Sequence, residues 1–311
     1  MSAGGICAKC NAQAGLRCSG CGLVFYCGEA CQKSHWGAHK LDCKRERRAR
    51  EAAAASSEEP ALLQKLAAAR EAHGSQSQEA LECAVDLGDH LLGTGRFSEA
   101  QPLLTAAVAG LRALMGDAHP TTLAAINTLA TLFKEMGALD ASEPLFREAL
   151  DGSRRELGSA HPLTLNFLNN LATVLQLQRK LAACEPLYCE ALQGYRRTLG
   201  GDHPDTLLAI GNLGNVLLRL GKPGAAEPLF LEALEAKRRV LGDEHPSTLR
   251  TLSALAILRG AQGKLEEALV LSLEACEGLK SVLGEAHVDT QKARQAREGF
   301  LAKARALKEK E

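Results

Sequence analysis

Several things are scarce in this 311-residue chain. Aromatic residues make up 4% of it, so the interior is expected to be packed from Ala and Leu, helix against helix, rather than around large rings. Net charge is missing: 37 Lys and Arg balance 37 Asp and Glu. That balance removes the global field that would argue for a nucleic-acid or membrane partner. No apolar run approaches the roughly 18 residues of a membrane span, and Met1 to Cys10 lacks the basic-then-apolar layout of a secretory signal. A soluble, intracellular protein is expected, cytoplasmic rather than nuclear. At 46% hydrophobic residues the chain can bury an ample core, and its length suggests two domains.

What is abundant is repetition. A His-Pro pair returns every 42 residues, at His119-Pro120, His161-Pro162, His203-Pro204 and His245-Pro246, with a worn copy at His287-Val288. Glycine recurs in the same register at Gly116, Gly158, Gly200, Gly242 and Gly284. Small residues form three further columns: Ala100, Ser142, Cys184, Ala226 and Ala268; Ala107, Ala149, Ala191, Ala233 and Ala275; and Gly88, Ala130, Ala172, Gly214 and Ala256. Agreement at so many columns over five copies marks a repeat array.

Each copy reads as two helices. After His119, apolar Leu123, Ile126, Leu129, Ala130 and Phe133 fall at helical spacing until Gly137 breaks the run. Leu145, Phe146, Ala149 and Leu150 then form a second helix ending at Leu157-Gly158, with glycine as its left-handed C-terminal cap. Pro120 suits the first position of a helix, where a missing N–H costs nothing. Pro102, Pro144, Pro186 and Pro228 fall near the start of the second helix, where proline is least harmful. No unit can bury its apolar face alone, so the units are expected to stack into a right-handed superhelix with a concave side.

The pattern resembles the tetratricopeptide repeat in its 42-residue kinesin-light-chain form. The residues that carry the likeness are the Gly/Ala columns, His161-Pro162-Leu163-Thr164-Leu165, Asn169-Asn170-Leu171-Ala172 and Ala226-Glu227-Pro228-Leu229. The resemblance implies a mainly α fold, an α-solenoid of helix pairs, of a kind that serves as a generic peptide-binding scaffold. Five units are expected, at 77–118, 119–160, 161–202, 203–244 and 245–286. Counting back from Pro102 and Gly116 finds Pro60 and Gly74, so 58–76 reads as a capping half repeat. At the other end, 287–311 keeps the first-helix length but turns polar, as a terminal cap requires.

Cysteine use is the second signal. Seven of the 11 cysteines lie within the first 43 residues: Cys7, Cys10, Cys18, Cys21, Cys27, Cys31 and Cys43. With His39 they are spaced C-x2-C-x7-C-x2-C-x5-C-x3-C-x7-H-x3-C, which supplies the thiolate pairs that tetrahedral zinc needs. Eight ligands make two closed Zn2+ sites and leave no open position for a catalytic water. A secreted disulfide framework is opposed by the odd cysteine count and the missing signal. His35 would leave seven residues before Cys43 and is read as a surface or packing residue. Spacing alone allows either sequential or interleaved sites.

With Tyr26-Cys27, Cys31-Gln32, Trp36 and His39 in place, residues 7–43 resemble a MYND-type zinc finger. The resemblance implies interleaved sites, one zinc on Cys7, Cys10, Cys27 and Cys31 and the other on Cys18, Cys21, His39 and Cys43. It also implies a cleft for short proline-containing peptides at Gln32 and Trp36, although a tryptophan in so small a domain also suits its core. So short a segment has almost no core, and metal binding should supply its folding energy. Residues 1–50 hold nine Lys and Arg against three acids, which seven thiolates and two Zn2+ would reduce to about +3. The basic run Lys44 to Arg50 reads as a solvated exit from the finger, and 51–57 as a linker.

The recurring histidines have no cysteine or second histidine nearby in sequence and read as residues that start helices. Cys184 occupies a small-residue column and reads as packing, while Cys83, Cys189 and Cys276 have no assigned role. By analogy with the repeat family, first helices line the concave groove. The helical period then points Asn127 and Lys134, Asn166 and Asn169, and Asn215 and Arg219 into it. Asparagine amides there can pair with the N–H and C=O of an extended peptide. No dense basic clamp accompanies them, so no strong preference for acidic peptides is expected.

These readings favour a non-enzymatic protein-protein adaptor or scaffold, the finger gripping one peptide and the groove another, with no small-molecule substrate. A kinesin-light-chain-like cargo adaptor is the first alternative, but residues 44–76 are too short for the coiled coil that such a protein carries before its repeats. An accessory to a MYND-type chromatin or methyltransferase regulator is the second. About 33 residues separate finger from array, which leaves no room for a catalytic domain between them.

Overall fold

The structure, a computed structural model, describes residues 58–308 together with the strand pair Leu16–Arg17 and Phe25–Tyr26. The chain divides into two compact units, 1–90 and 91–311. In the first, β1 (Leu16–Arg17) pairs antiparallel with β2 (Phe25–Tyr26), Leu16 opposite Tyr26 and Arg17 opposite Phe25. Helix α1 covers 58–73, and α2 (Gln78–Gly93) continues into the second unit. The zinc-ligand, Gln32, Trp36 and linker positions lie outside the described residues.

The second unit is a solenoid of helix pairs. Its first helices are α4 (Pro120–Glu135), α6 (Pro162–Leu177), α8 (Pro204–Arg219) and α10 (Pro246–Ala261). Its second helices are α3 (Phe97–Met115), α5 (Leu139–Glu156), α7 (Leu181–Thr198), α9 (Pro223–Leu241) and α11 (Leu265–Leu283), and α12 (Val288–Lys308) closes the series. From α3 onward each helix packs on the next, and first helices also touch first helices of adjoining units.

The His-Pro pair makes each first helix start where it does. The imidazole Nδ1 of His119, His161, His203 and His245 accepts the N–H two residues on, at 3.1–3.2 Å, an N-cap bond to one of the otherwise orphaned donors. Proline follows at the first helical position. Behind it, the hydroxyls of Thr164, Thr206 and Thr248 donate to the carbonyls of Gly158, Gly200 and Gly242 at 2.7–2.8 Å, fastening each helix start to the preceding turn. The prolines of the second helices sit deeper than their sequence suggested, at the sixth residue of α3, α5, α7 and α9, where each forfeits one backbone bond. Helix α12 is also longer than the first helices, 21 residues against 16. Arg305 stands where four of the units have a turn glycine, and the helix runs past it.

Small residues are where helices meet. A Cβ on Gly152, Gly194 or Gly278 would lie 2.2–2.7 Å from a methyl of Leu123, Leu165 or Leu249, so each leucine of the first helix beds on a bare glycine of the second. The Phe230 ring lies on Gly214 in the same way. Ala100, Ala149, Ala191, Ala226, Ala233, Ala268 and Ala275 are fully buried, and Cys184 with them. Burial pushes the Cys184 thiol above its usual range, as a packing residue requires.

Ion pairs run along the second helices. Arg112, Arg154 and Arg196 each reach Glu148, Glu190 and Glu232 of the next second helix at 2.6 Å, and Arg238 reaches Glu274 at 3.3 Å. These side chains are a third or more exposed, so each pair is worth roughly 0.2–1 kcal/mol; they align neighbours more than they hold them. Glu143 is better shielded. Lys180 chiefly, with Arg147 and Gln178, holds its carboxyl down at about 2.

The turn between the two helices of a unit requires a left-handed residue, which is Gly95, Gly137, Gly221 and Gly263 in four units but Arg179, at φ 63°, in the third. A side chain there costs on the order of 1–2 kcal/mol, partly offset by the stiffer unfolded chain. Arg179→Gly should therefore raise the urea midpoint, by about 0.5–1 kcal/mol of stability, while Gly137→Ala should lower it. A loss of stability in Arg179→Gly would show that the arginine side chain anchors this turn.

Candidate functional site

First helices place a strip of amides across three units. Asn170 of α6 donates through Nδ2 to Oδ1 of Asn127 on α4 and to Oδ1 of Asn166 on its own helix, both at 2.9 Å. Asn212 of α8 donates to Oδ1 of Asn169 at 3.2 Å. The amides thus form a ladder joining α4, α6 and α8. The rungs are 43 residues apart, one more than the repeat.

The ladder takes in three of the six positions expected to face the groove and leaves three outside it. Asn127 and Asn166 meet through Asn170, and Asn169 meets Asn212. Lys134 is only 17% exposed and pairs with Glu135 at 3.0 Å. Asn215 and Arg219 are exposed further along α8, and among the described residues the Asn215 side chain makes no hydrogen bond. Asn170 and Asn212 were not expected. They fall one residue beyond the register that selected Asn127 and Asn169, and only the pairing of amides across units reveals their part.

Chemically the ladder is half used. An amide offers two N–H donors and a carbonyl acceptor with two lone pairs. Asn127 and Asn169 spend their carbonyls on the ladder and keep their N–H groups; Asn212 keeps its carbonyl. Unspent donors and acceptors thus lie on adjoining first helices. Among the described residues no group of three or more His, Cys, Asp or Glu is placed to hold a metal, and no helix is long and apolar enough to cross a membrane.

The tetratricopeptide repeat profile matches four overlapping stretches, 84–155, 121–183, 163–239 and 209–281. The chain belongs to the tetratricopeptide repeat family. The MYND finger profile matches residues 7–43, ahead of the repeats. Among solved structures, the array is similar to BtubC (BKLC) from P. vanneervenii, with 21% identity, a TM-score of 0.64, and coverage of 74% of this chain and 93% of that one. It is likewise similar to a Podosopora anserina protein with nearly identical TPR-like repeats, assigned to the kinesin light chains. Here identity is 23% and the TM-score 0.59, over 65% of this chain and 96% of the other. At such identities the likeness speaks for the fold. A 39-residue stretch of the chain is 46% identical to Deformed epidermal autoregulatory factor 1 of Drosophila melanogaster, covering 12% of this chain and 7% of that protein.

A MYND finger implies zinc binding, and the donors present suit it: seven thiols and His39 within the matched segment are the sulfur and nitrogen ligands that zinc prefers. The repeat array draws its stability from helix packing. Chelation should therefore release zinc and unfold the finger while leaving the helical circular-dichroism signal nearly intact. Loss of the helical signal together with the zinc would show that finger and repeats fold as one.

Proposed function

We propose that this protein is a non-enzymatic adaptor that holds two protein partners, one at its finger and one along the first helices of its repeats. The asparagine ladder carries this reading. Asparagine is a mediocre helix former, yet six asparagines stand on α4, α6 and α8, and their unspent N–H and C=O groups match the backbone of an extended peptide. Asn127, Asn166 and Asn169 would hold that peptide with little demand on its sequence; Lys134, Asn215 and Arg219 would flank it. Five repeat units between a half unit at each end supply the scaffold.

The finger would carry two zinc ions, on Cys7, Cys10, Cys27 and Cys31 and on Cys18, Cys21, His39 and Cys43, and take a proline-containing peptide at Gln32 and Trp36. Its role in this reading comes from the family it matches. Two weak sites on one chain raise the effective concentration of the second partner once the first is bound, which gives the pairing of modules a physical purpose. The four cysteines of the repeats are free thiols, in keeping with an intracellular, cytoplasmic protein.

Affinity capture from a cell extract tests the reading, using the intact protein, Trp36→Ala and Asn127→Ala/Asn169→Ala as baits. Each variant should lose a different set of partners, with the helical signal of both unchanged. If neither variant loses a partner that the intact protein retains, the cleft and ladder assignments are wrong and the array is a spacer.

A further inference from the structure

One lysine of the array is buried without a counter-ion. Lys237, on α9, is 8% exposed, and its ammonium donates to Oγ1 of Thr251 on α10 at 2.9 Å. That hydroxyl already spends its own proton on the Ser247 carbonyl, 3.0 Å away. Among the described residues no carboxylate lies within ion-pair reach of Lys237, so the ammonium keeps two N–H groups to give. An ammonium taken out of water without an anion is strongly disfavoured. Nothing in the repeat requires it: the same position holds Leu111, Ser153, Tyr195 and Leu279 in the other units.

The amine lies at the junction of two adjoining hollows, of about 290 and 330 Å3, that share Leu207, Leu208, Lys237 and Ser247. Together they form a cleft between α8 and α10, floored by α9. Leu207, Leu208 and Phe230 give it apolar walls, and Asn212, Asn215 and Arg250 stand at its polar rim. Asn212 is also the last rung of the asparagine ladder, so the cleft is continuous with the amide strip. Of the acids nearby, Asp202 pairs with Arg239 and Asp289 lies 3.2 Å from Arg250. Asp205 lines the second hollow but stays outside ion-pair reach of the ammonium, and His203 Nδ1, which accepts its N–H, gives its carboxylate no proton.

We propose that this cleft is a subsite for a carboxylate side chain, Asp or Glu, of the extended peptide held by the ladder, with Lys237 as its counter-ion. The proposal rests on the peptide-binding reading of the first helices. An incoming carboxylate would remove the unpaired charge, and the apolar walls would strengthen the pair by excluding water. A phosphate suits the cleft less well: its two charges call for a second cation or an arginine fork, and Arg250 is shared with Asp289. Burial, with the charge of Arg250 added, draws the Lys237 ammonium down to about 8, so it still carries its proton at neutral pH. The position escapes a search of first helices because Lys237 belongs to a second helix, and it revises the expectation of no strong preference for acidic peptides.

The test uses the full chain labelled with 13C at lysine Cε and 15N at asparagine Nδ2. Three pools of blocked heptapeptides, otherwise of random uncharged sequence, carry Asp, Asn or phosphoserine at the centre. The Asp pool should shift the Lys237 signal saturably and the Asn pool should not. Lys237→Met should weaken binding of the Asp pool at least tenfold without lowering the thermal midpoint, since methionine fills the same volume with no charge to bury. An unmoved Lys237 signal, or a stronger response to the phosphoserine pool, overturns the carboxylate assignment. If the ladder amides of Asn127 and Asn169 respond while Lys237 does not, the peptide groove stands and only the subsite fails; silence from both overturns both. A fall in the midpoint of Lys237→Met with undiminished binding would give the lysine a structural role instead.

Discussion

Close approach of helices is the constraint on which the array depends. Leu123, Leu165 and Leu249 lie over Gly152, Gly194 and Gly278 at distances that leave no room for a methyl group. Phe230 is seated on Gly214 by the same means. Where the Gly214 position carries a side chain in other units, at Ala130, Ala172 and Ala256, it is wholly buried. Enlarging a residue in an interior packed to this density typically costs about 1–3 kcal/mol. The small-residue columns are therefore the means by which one unit covers the apolar face of the next, and a unit without neighbours has nothing to cover it.

That arrangement separates stability from recognition. The interior is apolar and small, and the ladder of Arg112–Glu148 and its three successors is too exposed to add much. The polar residues of the first helices are correspondingly unburdened. Asn170 bonds to Asn127 and Asn212 to Asn169, which fixes the amides in place and would leave the rest of their capacity for the proposed peptide. A strip fixed beforehand loses less entropy when a peptide binds. Among the described residues Lys237 is the one charged side chain in a buried set otherwise of apolar residues, serines and threonines, and it has no acid beside it.

Much of this was legible in the sequence. The His-Pro pairs specify helix starts because an imidazole can cap and a proline can begin a helix, and both properties are local. The glycine columns specify turns for the same reason. Arg179 departs from its column without disturbing the turn, since the neighbouring helices hold it there. What escaped depends on tertiary placement. Arg112 and Glu148 each recur every 42 residues, but they pair across a separation of 36, which no single column displays. Asn170 and Asn212 act through partners in the preceding unit, one residue out of register. Lys237 looks like any lysine on a helix until its burial is known. In the finger the ligand spacing is legible on its own, because paired thiolates at short intervals serve metal whatever surrounds them.

Nearest-neighbour stacking is the central claim, and native-state hydrogen exchange on the full chain tests it most directly. In a linear array a middle unit has two neighbours and an end unit one, so opening should cost most in the middle. Amide protection is predicted to peak across α6, α7 and α8 and to fall stepwise through α10 and α11 to α12. Uniform protection along these helices, or a single unit whose protection survives when the units beside it open, would contradict the account.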